Sequence, residues 1–136
     1  MSEWINQYIG IPYVENGASA DGCDCYGLLR VVAEGLGKKL PSFDGFELTT
    51  GFIKPSLMTK AIADQVESNS AREIFEPVPN SIVTVNRGRV ATHIGLVTEA
   101  GILHSDRNMG SVLMSLSEFK MMYGNKLRFW SWHLFS

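Results

Sequence analysis

Only two cysteines occur in the chain, Cys23 and Cys25, with Asp24 between them. A bond between them would close a small strained ring, so a stabilising disulfide framework is excluded. In a reducing compartment both are thiols. A basic surplus is also missing. Lys and Arg number 12 against 14 Asp and Glu, a formal net charge of −2, which argues against a nucleic-acid binder. No apolar run approaches the ~18 residues that span a bilayer, so membrane insertion is not expected. The start, Met1 to Asn6, is polar and acidic. It lacks the basic, then apolar, pattern of a signal peptide, so synthesis in the cytoplasm is the expectation. The marks of disorder are absent too: apolar residues make up 45% and charged residues 19%, an ordinary globular balance. The 136 residues fit a single domain, 1–136, large enough for its own core.

What is present divides into a helical first half and a strand-rich second half. Ser2 to Tyr8 can start a helix, with Ser2 as N-cap and Trp4 and Tyr8 on one face. A turn-rich loop follows from Glu15 to Gly22. Asp24 can cap a helix that opens on Cys25 and ends at Gly35 and Gly37. Its apolar positions, Leu28, Leu29, Val31, Val32 and Leu36, are too many for a surface helix, so it reads as central. Lys38 to Gly51 reads as irregular, and Pro55 to about Ser68 as another helix. Strands are expected at Ile82–Val85, Val90–Val97, Gly101–Ser105, Ser111–Met114 and Lys126–Leu134. A short helix, Ser117–Tyr123, precedes the last strand, with Ser115 or Ser117 as its cap. The expected class is α+β, with helices on one side of an antiparallel sheet of about five strands.

The chemistry-bearing residues are Cys25, His93 and His104. A thiol becomes a nucleophile when its thiolate is favoured, which a helix N-terminus and a neighbouring imidazolium both do. Asp24 as cap would supply the first condition. His93 and His104 stand on consecutive strands joined by a short turn near Glu99-Ala100. With an even loop, position 93 shares a sheet face with positions 102, 104 and 106. The two imidazoles are therefore expected side by side, with Ala91 and Gly95 keeping that face shallow. This is a nucleophile, a base and a third group to orient the base. Backbone N–H groups at the helix start could serve a developing oxyanion. A lone strand histidine is more often structural, and Cys23, Cys25, His93 and His104 could instead offer four metal ligands. The Cys-x-Cys spacing is poor for a structural zinc site, so no metal or cofactor is expected. Cys23 reads as a small buried hydrophobe, and His133 as structural or surface.

Three stretches carry a resemblance. Tyr8-Ile9-Gly10-Ile11-Pro12-Tyr13 followed by Asp24-Cys25-Tyr26-Gly27-Leu28, then His93-Ile94-Gly95-Leu96-Val97, then Ile102-Leu103-His104-Ser105, resemble in order the motifs of the NlpC family of cell-wall cysteine peptidases. The resemblance implies a papain-like fold and hydrolysis of amide bonds in peptidoglycan stem peptides, typically between D-glutamate and a diamino acid. It implies Cys25 as nucleophile, His93 as base and His104 as orienting residue. Tyr13 matches a tyrosine near the nucleophile, and Asp24 an acid that can face the amino end of the substrate. The family usually has serine where this chain has Tyr26, and the bulky ring would reshape the cleft. The usual Pro-Gly-Asp before the first strand is here Pro79-Asn80-Ser81. A stand-alone form without a signal peptide resembles versions encoded with phage tails, so tail or envelope proteins are expected partners and the virion or the wall the place of action. Two other readings stay open: a papain-like acyltransferase or hydrolase on another amide or ester, and a non-enzymatic tail or envelope assembly module.

Overall fold

The computed structural model describes residues 3–40 and 53–135. A short helix α1 (Glu3–Asn6) is followed by a hairpin of β1 (Ala18–Ser19) and β2 (Gly22–Cys23), then helix α2 (Cys25–Gly35). Next come helix α3 (Ile53–Glu67) and strands β3 (Ala71–Ile74), β4 (Ser81–Arg87), β5 (Val90–Thr98), β6 (Gly101–Asp106) and β7 (Gly110–Met114). Helix α4 (Leu116–Tyr123), strand β8 (Leu127–Trp132) and a 3-10 turn at His133–Phe135 end the described chain. Most of the irregular stretch expected over Lys38–Gly51, and the Ser2 cap, lie outside the described residues.

Strands β3 to β8 form one antiparallel sheet in the order β3-β8-β4-β5-β6-β7. It has six strands, one more than expected. The addition is β3, an edge strand whose middle residues Arg72 and Glu73 are exposed. Charge on an edge blocks stray pairing, and it also hides the apolar alternation by which strands are recognised. Arg128 on β8 grips Glu73 with two bonds of 2.7 Å. The hairpin β1–β2 falls where only a loop was expected, because strands of two residues leave no periodicity to read. His133 is not on the last strand but in the 3-10 turn beyond it, and is exposed.

The helices do not all lie on one side. Ile82, Ile94, Leu96, Leu103, Trp130 and Trp132 pack with Leu28, Leu29 and Val32 of α2 and Met58 and Ile62 of α3. On the opposite face Val83, Val97 and Ile102 pack around Phe119 of α4. α4 turns back over this face under a capping box: Ser115 Oγ accepts from Glu118 N, and Glu118 Oε1 accepts from Ser115 N. Ahead of α2, the segment at Gly10–Ile11 runs along the β7 edge. Gly10 N donates to Ser111 O at 2.9 Å, and Ser111 N donates to Ile11 O at 2.9 Å. That covering satisfies backbone groups an open edge would leave bare.

Candidate active site

Asp24 is the N-cap of α2, as expected: its Oδ1 accepts from Gly27 N at 2.8 Å. Its Oδ2 accepts from Asn16 N at 2.8 Å. One buried carboxylate thus ties the first turn of α2 to the loop before it, and both oxygens are engaged with backbone. Cys25 is the first helical residue and is 8% exposed. Its sulfur lies against β5, within reach of the backbone N–H of Ile94, the residue that follows His93 in the strand. Cys23 is fully buried in the same core.

His93 and His104 meet. His93 Nε2 and His104 Nδ1 are 3.0 Å apart, with the rings edge to face at 87°. The expected register holds, because Leu96 pairs with Leu103 and Thr98 with Gly101. Gly95 lies beside the pair: a Cβ there would come within 3.2 Å of His104 Cβ. Ala91 does not share this face. The register against β4 shifts between Val85↔His93 and Asn86↔Ala91, so Thr92 is an extra residue in β5. Such a bulge re-aims the side chains beyond it. Ala91 consequently packs in the core under α2 and α3, while His93 turns to α4.

Two aromatic residues of α4 fix the rings. Tyr123 stacks on His93 at 4.3 Å and 16°. Phe119 meets His104 edge-on at 4.9 Å. Neither was expected at the site, and a short amphipathic helix gives no sign of which ring meets which strand. Tyr123 OH donates to Asp106 Oδ1 at 2.8 Å. Asp106 was within reach of sequence reasoning, since position 106 shares the face of position 93. Tyr13 stands near the thiol. Its hydroxyl donates to Glu15 Oε2 at 3.3 Å, and Arg107 donates to the same oxygen at 3.0 Å while lying 5.5 Å from the Tyr13 ring centre. Tyr26, expected to shape a cleft, is 2% exposed and sits in the core. In α2 the position after Cys25 turns inward, so the bulky ring fills the interior rather than an open wall.

Burial decides the protonation states. It pushes the Cys25 thiol up to about 11, against the N–H groups of Ile94, Tyr26 and Cys25 itself. It pushes His93 down to about 3, helped by His104 and opposed by Asp106, and His104 down to about 4, again opposed by Asp106. The sequence expectation of a thiolate favoured by helix start and imidazolium is therefore not met at rest. Thiol and imidazoles are neutral together, because desolvation outweighs the helix end. Asp106 moves the other way. Burial opposes it, but the Tyr123 hydroxyl and the amides of Asn108 and Met109 hold its carboxyl below the usual value.

The depressed histidines make the fold acid-sensitive. An unfolded histidine takes up its proton near pH 6.5, whereas these two stay neutral in the folded chain down to about 3 and 4. Between those limits the unfolded chain binds more protons, so stability falls as pH falls through the window. The melting temperature should drop by roughly 5 °C or more between pH 7 and pH 4.5. A His93→Gln/His104→Gln double variant should show a much shallower drop, and an equally steep one would assign the acid sensitivity to other groups.

Among solved structures, the fold is similar to the crystal structure of the NlpC/p60 domain of the peptidoglycan hydrolase SagA. The TM-score is 0.57 at 16% sequence identity, over 90% of this chain and 89% of that one. No protein-family model matches the chain, and no curated protein sequence matches it. The fold is therefore of the NlpC/p60, papain-like class: a mixed α+β domain with a helix opening on a cysteine beside a six-stranded antiparallel sheet.

Proposed function

We propose that the protein is a cysteine peptidase that cuts amide bonds in peptidoglycan stem peptides, with the D-glutamyl–diamino acid bond as its target. The observation that carries this reading is the 3.0 Å contact of His93 Nε2 with His104 Nδ1, on the strand whose Ile94 N–H reaches the sulfur of Cys25 in the first turn of a capped helix. The NlpC/p60 fold and the SagA domain's own description as part of a peptidoglycan hydrolase support the substrate class.

In this mechanism His93 uses Nδ1, the nitrogen on the far side of the ring from His104. The Cys25 sulfur attacks the scissile carbonyl carbon as its proton passes to His93 Nδ1. A neutral resting pair means that proton transfer accompanies attack instead of preceding it. The negative oxygen that forms is met by backbone N–H groups at the α2 start, Cys25 N among them. The C–N bond then breaks, His93 returns the proton to the leaving amine, and an acyl thioester remains. Water, deprotonated by His93, hydrolyses it. His104 holds the ring of His93 and steadies its charged form. Tyr13, near the thiol and linked through Glu15 to Arg107, would contact the substrate chain.

Purified stem peptides carrying either diaminopimelate or lysine, incubated with the protein, should yield fragments one cut apart by mass spectrometry. Cys25→Ala should leave them intact. Intact peptides with the folded wild type, or cutting by folded Cys25→Ala, would overturn the proposal.

A further inference from the structure

We propose that Met114 is a positioning residue for the base, its thioether sulfur setting which nitrogen of each histidine carries the proton. This rests on the catalytic reading above. Met114 Sδ lies 3.3 Å from His104 Nε2. A thioether has lone pairs and no proton, so it can only accept. The contact is attractive only if His104 Nε2 carries its proton. A bare Nε2 would set lone pair against lone pair.

The consequence runs along the face. A neutral imidazole holds one ring proton, so a proton on His104 Nε2 leaves Nδ1 bare. That bare nitrogen faces His93 Nε2 at 3.0 Å and needs a donor there. His93 must then carry its proton on Nε2, which leaves its Nδ1 with the lone pair that takes the thiol proton. The opposite order would place a proton on His93 Nδ1, and that ring could not act as a base. Among the described residues, no other nearby group makes this choice. Asp106 is the charged group near His104, but its oxygens accept from Tyr123 OH and from the amides of Asn108 and Met109. The stacking of Tyr123 on His93 and the edge of Phe119 on His104 restrain both rings against flipping, so the proton order is decided at the sulfur.

Long-range proton–nitrogen NMR of the histidine rings reads tautomers directly, without substrate. In the wild type at pH 7, both His93 and His104 should be protonated on Nε2. Met114→Leu keeps the volume and removes the acceptor, and both rings should then show averaged shifts from mixed tautomers. Met114→Gln brings an amide oxygen and should restore the single form. On a cleavable stem peptide, kcat should fall about three- to tenfold in Met114→Leu, the worth of one modest hydrogen bond, with KM little changed and recovery in Met114→Gln. A wild-type His104 protonated on Nδ1, or unchanged tautomers in Met114→Leu, would overturn the proposal. If the tautomers shift as expected but the wild type cuts no stem peptide, the hydrolase reading falls and the control of the rings by Met114 stands.

Discussion

His93→Ala and Cys25→Ala should each lower kcat/KM on a stem peptide by about 10⁵-fold or more. In the proposed mechanism both remove a group that makes or breaks bonds, and in triads that act as a unit the loss of either is nearly the whole effect. His104→Ala should cost less, on the order of 10³-fold, because it removes only the acceptor that holds the ring of His93. His104→Asn and His104→Gln should retain more, since an amide oxygen can accept from His93 Nε2 where His104 Nδ1 now stands at 3.0 Å. Phe119 and Tyr123 pack around both rings, so the alanine variants need a circular-dichroism check of folding. The decisive comparison is the order of the two histidine variants. If His93→Ala keeps more activity than His104→Ala, the base is His104 and the roles are exchanged.

The order of this site along the chain was legible because its signals are local. Asp24 before Cys25 is a cap before a helix, and a short turn between two β-rich runs fixes the parity that sets His93 and His104 on one face. The hydrophobic runs around Ile82, Ile94 and Leu103 likewise mark central strands, which are buried on both faces and need no alternation. What escaped reading depends on packing between distant parts. β3 is polar because it lies on an edge. Ala91 leaves the face of His93 because of one extra residue in β5, which no composition announces. Tyr26 is interior because α2 is covered on the side it faces. The neutral resting state of Cys25 follows from how deeply α2 and the sheet enclose the thiol. A motif marks a candidate nucleophile but not the dielectric around it.

The same local geometry makes Gly27 the position where a single methyl group should do the most structural harm. A Cβ on Gly27 would run into the carbonyl oxygen of Gly17 and stand 2.9 Å from Asp24 Oδ1. That carbonyl cannot swing aside as a side chain could, because it is backbone and already accepts from Asp24 N at 3.2 Å. The loop has no slack either: a Cβ on Gly17 would meet Gly22 O at 2.6 Å, and one on Gly22 would strike Val14. Gly17 and Gly27 therefore let the loop, the hairpin and the first turn of α2 lie backbone on backbone, and Gly22 leaves room for the Val14 side chain. Gly27→Ala must push the loop away, which breaks the bonds from Asn16 and Gly27 to the Asp24 carboxylate and leaves that carboxylate buried with fewer donors. The expected cost is about 3 kcal/mol, the upper end for overpacking, although alanine is the better helix former. Urea denaturation should show the midpoint falling accordingly. Because the displaced turn carries Cys25, activity per folded molecule should fall as well. An unchanged midpoint with full activity would mean that the loop yields freely, and that the close approach of Gly17 to α2 does not hold Cys25 in place.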